Sequence, residues 1–217
     1  MIPGVIPGMA GQSGPALEYR TNLATTFAAS SFTFTSVAIG PPSPTRLVVV
    51  TISGVLGDFF GFGSATIGGV SATVVTSAYG VAGSANINCV MVQAVVPTGT
   101  TANVVVNWNR SIARCAIGVW TIDGVISNTA VSSASGTGNS STVDLSMNIQ
   151  PNDAVIGGSL SFNNQPTTWA GLTEDFDIAF STSRHSGASD VMLTAQSPRT
   201  ISATSTQLFA SVAAVWR

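Results

Sequence analysis

The chain has 217 residues, 45% hydrophobic but only 7% charged, with a formal net charge of -2. Soluble domains carry about 25% charged residues, so this surface is polar through Ser, Thr, Asn and Gly instead of through charge. All seven basic residues are arginines scattered between Arg20 and Arg217, which leaves no basic stripe for nucleic acid and, without lysine, no Schiff-base chemistry. A nearly neutral surface also offers little repulsion between copies and favours association.

Residues 1–17 precede the first charge, Glu18. Pro3, Gly4, Pro7 and Gly8 interrupt any helix, and there is no basic start followed by an apolar run, so the segment reads as neither a secretion signal nor a membrane anchor. Ile2, Val5, Ile6 and Met9 nevertheless call for burial. The reading is an irregular N-terminal arm over residues 1–25 that makes assembly contacts through these four side chains.

From about residue 26 the pattern is strand after strand. Ser31–Ile39 alternates Phe32, Phe34 and Val37 with Ser and Thr, close to a period of two, and Pro41, Pro42 and Pro44 end it. Leu47–Ile52 (LVVVTI) is a continuous apolar run of central-strand type. Ala65–Ile67 and Val70–Thr76 flank Gly68-Gly69, a pair suited to a two-residue hairpin turn. Asn86–Val96 and Thr101–Trp108 flank the turn Pro97-Thr98-Gly99-Thr100, and Cys115–Ile122 follows. Ser132–Ser141 (SSASGTGNSS) reads as a loop. Thr142–Ile149, Ala154–Phe162, Asp175–Phe180, Val191–Ala195, Thr200–Thr204 and Leu208–Trp216 continue the series, the last as a strand that completes a sheet. About a dozen short strands with turn residues between them, and no amphipathic helix, predict an all-β fold. The architecture expected is an antiparallel β-sandwich or jelly roll, with residues 26–217 as one domain. No stretch reaches the roughly 18 apolar residues of a membrane-spanning helix, so no membrane insertion is expected.

Residues that could carry chemistry are few. His185 is the only histidine; a catalytic triad would need it beside Ser183 or Ser186 with Asp190 as orienter, but no GxSxG elbow presents a serine, and a solvent-exposed loop histidine is expected. Glu174, Asp175 and Asp177 are the one acidic cluster, read as a strand entry with its charges in water and, alternatively, as calcium ligands. Cys89 and Cys115 lie in Val- and Ile-rich runs, as two buried thiols or as a disulfide. Gly54–Gly63 (GVLGDFFGFG) lacks the spacing of a phosphate-binding loop; its Phe59, Phe60 and Phe62 are candidate surface contacts or a plug for the end of the sandwich. Trp108, Trp120 and Trp169 could offer sugar-stacking faces; Trp120 reads as core, and Trp169 joins the candidate surface contacts. No catalytic, cofactor or metal residue is assigned, and no enzyme activity is expected.

The opening MIPGVIPG resembles short N-terminal arms on structural proteins of tailed bacteriophages. The strands ATIGGVSATVV, VVPTGTTANVVVNW and TWAGLTEDF are similar to β-sandwich modules of phage virion accessory proteins. The resemblance implies a virion location, as a capsid decoration or a tail-fibre or tail-tip subunit. It also implies docking on other virion proteins through the arm, and a homo-oligomer, a trimer more than a dimer. A carbohydrate-binding or adhesin module that recognises host glycan is the alternative.

Overall fold

Strand content follows from the sequence's long β-branched runs broken at Gly, Pro and Asn. The computed structural model describes residues 14–83, 85–192 and 194–217. In chain order these form β1 (Ala16–Thr25), β2 (Ala29–Ala38), β3 (Leu47–Leu56), β4 (Phe62–Ile67), β5 (Val70–Ser71), β6 (Thr73–Ala82), β7 (Ala85–Val95) and β8 (Thr101–Ile112). They continue as β9 (Arg114–Asp123), β10 (Ser132–Ile149), β11 (Ala154–Phe162), β12 (Thr168–Ala170), β13 (Thr173–Phe180), β14 (Ser183–Val191) and β15 (Gln196–Trp216). The fold is all-β and antiparallel, of sandwich type, its sheets not closed into a barrel.

The continuous apolar runs make the middle sheet, ordered β1-β9-β3-β7-β6. A strand covered on one face alternates apolar and polar residues, whereas one covered on both faces needs no polar side. That is why LVVVTISGV on β3 and most of β7 and β9 are buried at every position. On one face lies the sheet β2-β8-β4-β5, whose alternating Phe32, Phe34, Val104 and Val106 meet Val48, Val50, Ile52 and Val119. On the other face lies the sheet β10-β15-β11-β14-β13, with β12 paired to β15. There Leu160, Phe176, Val212 and Trp216 meet Val49, Ile87, Met91 and Trp120. At about 1.5–3 kcal/mol for each fully buried Val, Ile, Leu or Phe, these two interfaces dominate the fold's stability.

The third sheet folds over itself. β10 and β15 pair along nearly their whole lengths, with a register break between Asn139 and Ser141, where Ser140 takes a φ of 52°. Beyond that corner the paired strands turn back, so that a Cβ on Gly136 would stand 2.6 Å from Val143. The returning half carries Val143, Leu145, Met147, Ile149 and Ile201, which with Trp169 and Leu172 bury the outward residues Val155, Phe209, Ala213 and Val215. The result is a further layer built from the outer half of one strand pair.

Several expectations change. Ser132–Ser141 is strand, the first half of β10, because its partner β15 supplies the ladder that its composition does not advertise. β15 is one element instead of two and lies between β10 and β11, in the interior of its sheet. Among the described residues of Val191–Ala195, Val191 alone belongs to a strand, and β14 occupies Ser183–Val191. Pro97–Thr100 joins strands of different sheets. The stretch read as an irregular arm includes β1, the margin strand of the middle sheet.

Candidate interaction surface

Ile2, Val5, Ile6 and Met9 lie outside the described residues. The other contact candidates separate sharply. Phe60 is 1% exposed and Trp169 9%; both are core, the latter with its indole N–H donating to Ser186 Oγ at 2.8 Å. Phe62 is half-buried with its ring edge-on to Trp108, centroids 5.7 Å apart. Phe59 alone stands out, 64% exposed, braced edge-on by Tyr79 at 5.3 Å. Its loop is held from β8: Arg110 donates to Asp58 and to the Phe59 carbonyl, each at 2.8 Å, and Asn109 accepts from Gly61 N–H at 2.8 Å. The Phe59 amide and the Arg110 guanidinium hold the Asp58 carboxyl below its usual range. Phe60 meanwhile plugs the sheet end against Trp108, centroids 5.3 Å apart.

His185 overturns the exposed-loop expectation. It is fully buried in β14, its Nδ1 against Ser53 Oγ and its Nε2 3.3 Å from Thr51 Oγ1 on β3. Burial depresses it to about 3, the Ser159 backbone acting the other way. Asp190 caps the Val191 amide, Ser186 is spent on Trp169, and neither bonds the imidazole, so His185 is a polar pin between two sheets. Close approach is possible because Gly118, Gly158 and Gly187 face one another's sheets; a Cβ on Gly187 would stand 2.6 Å from the Trp120 ring.

The acidic cluster is likewise structural in its contacts. Asp175 accepts from Trp120 Nε1 at 2.8 Å, and Asp177 pairs with Arg184 at 2.8 Å; Glu174 alone stays exposed. Burial raises all three carboxyls. This corrects the picture of three charges in water, since two of the three are half-buried. Among the described residues no group of His, Cys, Asp and Glu is placed to hold a metal ion. Cys89 and Cys115 are free and buried; they belong to the cores on opposite faces of the middle sheet. Burial pushes both thiols up to about 12.

The surface feature that sequence reasoning missed is a groove of about 390 Å³ at one end of the middle sheet. One wall is the Gly68-Gly69 turn with β5 and the start of β6; the other is the segment from Asn128 to Ser133; Leu47 and Val95 contribute to the lining. Gly68 and Gly69, at φ of 60° and 81°, supply the positive backbone angles that turn Val70 outward. A bulge between Val74 and Thr76 bends β6 away from β7. The far wall is tied down by Gln93, which donates to the Asn128 carbonyl at 2.5 Å and accepts from Trp216 Nε1 at 2.8 Å. Val70 and Val74, in the lining, are 42% and 48% exposed, and no charged side chain lines the groove. The available signal was GGVSATVV, where consecutive valines after a turn leave an apolar side chain on each face of a margin strand.

No protein-family model matches the chain, and no curated protein and no solved structure matches it significantly.

Proposed function

We propose that this chain is a non-enzymatic structural subunit of a bacteriophage virion surface, a capsid decoration or tail-fibre or tail-tip protein, which joins other virion proteins through its N-terminal segment and self-associates. The observation that carries this reading is the uncharged, valine-rimmed groove on a nearly neutral surface. Contiguous exposed apolar surface marks contact sites, and low charge removes the electrostatic defence against self-contact. The sequence resemblance to virion accessory modules supports the particle location. The test is sedimentation of the purified protein at micromolar concentration, together with antibody labelling of native particles in the electron microscope. A homo-oligomer and decorated particles are expected; a stable monomer and unlabelled particles would refute the reading.

A second reading, a module that recognises host glycan, draws on Phe59. An exposed aromatic face beside Asp58, Asn109 and Arg110 offers a stacking plate with polar neighbours. Glycan-array binding that Phe59→Ala abolishes would favour it, and an array with no binding would remove it.

A further inference from the structure

We propose that the groove beside β6 is the receptor for residues 2–9 of a neighbouring copy of this chain. This rests on the reading above, in which the N-terminal segment makes the assembly contact, and adds the site that receives it. Chemistry and position both point there. The segment carries no charge before Glu18, and the groove is lined without a charged side chain. Ile2, Val5, Ile6 and Met9 therefore supply apolar side chains to Val70, Val74, Leu47 and Val95 without burying an ion, which would be costly.

The neighbouring copy is the source that the low surface charge favours, since little repulsion separates copies. Gly14 lies against Asn152 near Gly124 and Arg217, beside β1, whereas the groove lies beside β6. These are opposite margins of one sheet, four strand steps or about 19 Å apart. They open at the same end, because Ala16 pairs with Asp123 and Leu47 with both Ile122 and Val95. Ile6 is eight residues from Gly14, about 27 Å fully extended. The chain's own segment therefore has the reach as well, and the one-chain outcome of the test below separates the two sources. A donor at one margin and a receptor at the other make a head-to-tail contact, which closes into a ring when the rotation allows.

The test uses two full-length variants, Ile6→Cys and Val74→Cys, purified separately, mixed and oxidised. The native thiols Cys89 and Cys115 are buried, and Val74 is exposed enough for the substitution to leave the fold intact. The expected result is a disulfide-linked pair of unlike chains, formed at least about tenfold faster than with Val81→Cys, an exposed control on the same strand, because docking raises the effective thiol concentration. A bond that forms only when both substitutions are in one chain overturns the neighbour as source. Absence of the bond while sedimentation still shows an oligomer overturns the groove and leaves the assembly reading standing. Absence of the bond in a monomeric protein overturns both. Val74→Arg supplies a second readout, an expected loss of self-association of at least about tenfold from burying an unpaired charge.

Discussion

Acidification tests the packing between the middle and third sheets through one imidazole. An unfolded chain protonates His185 near 6.5, whereas the folded protein holds it down to about 3 because burial disfavours the cation. A folded value below the unfolded one means stability is fully present above 6.5 and is lost as pH falls from there towards 3. The slope approaches about 1.4 kcal/mol per pH unit. Between pH 7 and 4.5 the loss is about 2–3 kcal/mol, and by pH 3 it is on the order of 4 kcal/mol, a large part of the whole stability of many domains. Glu174, Asp175 and Asp177 act in the opposite sense, since their raised values mean that protonation on acidification restores stability. The discriminating assay is therefore urea unfolding of wild type and His185→Gln at several pH values. The difference between their slopes isolates the imidazole. If the two proteins lose stability in parallel from pH 7 to 4.5, His185 is not held neutral between Ser53 and Thr51, and the account of that interface is wrong.

Other consequences can be read with the same unfolding assay or with simple probes. Arg46 is 2% exposed, and its guanidinium donates to the carbonyls of Val96, Gly40, Pro41, Gly99 and Thr98 at 2.6–3.0 Å. Arg46→Met leaves those acceptors unpaired and is expected to cost about 3 kcal/mol, seen as a lower urea midpoint. Gly187→Ala sets a methyl group against Phe176 and Trp120 and is expected to cost about 1–3 kcal/mol by overpacking, with a shifted Trp120 fluorescence. Neither Cys89 nor Cys115 reacts with a thiol reagent in the native protein, and two thiols per chain react after denaturation; fast native labelling would contradict their burial. Deletion of residues 1–13 leaves a strand-rich circular dichroism spectrum and abolishes self-association; an unfolded product would show that the segment belongs to its own core.

The sequence is legible where one strand's environment is written in its own residues. The run LVVVTI announces a strand covered on both faces, Phe32 and Phe34 announce a one-sided strand, and Gly68-Gly69 marks its hairpin turn. It is illegible where a partner supplies the environment. Nothing in SSASGTGNSS calls for a strand, because Ser and Gly have little preference for one; pairing with Ser205–Val215 makes it one, and Gly136 is needed there so that Val143 can return across it. The candidate site suffered in the same way. Four aromatics looked equally available in sequence, yet burial depends on whether a neighbouring layer reaches them. Phe60 and Trp169 are covered, while Phe59 is not. The groove was illegible because it is bounded by residues 70–75 and 128–133, which no local pattern joins.

The distribution of polar contacts explains why the exposed apolar residues carry the functional argument. His185 is occupied by Ser53 and Thr51, Arg46 by five carbonyls, Asp175 by Trp120, Asp177 by Arg184, and Gln93 by Trp216 and Asn128. Each of these groups ties one segment to another, so removing its partner is paid first in stability. The large apolar side chains that face solvent are Leu23, Phe27, Phe59, Val70, Val74, Val81, Val131 and Ile126, the last 77% exposed. Water gives such side chains nothing, and a second surface gives each buried one about 1.5–3 kcal/mol. Val70 and Val74 line a single groove, whereas Phe59 stands on a separate loop. Cooperative association should therefore fail with Val74→Arg before it fails with Phe59→Ala. The reverse order would move the assembly contact from the groove to the aromatic loop.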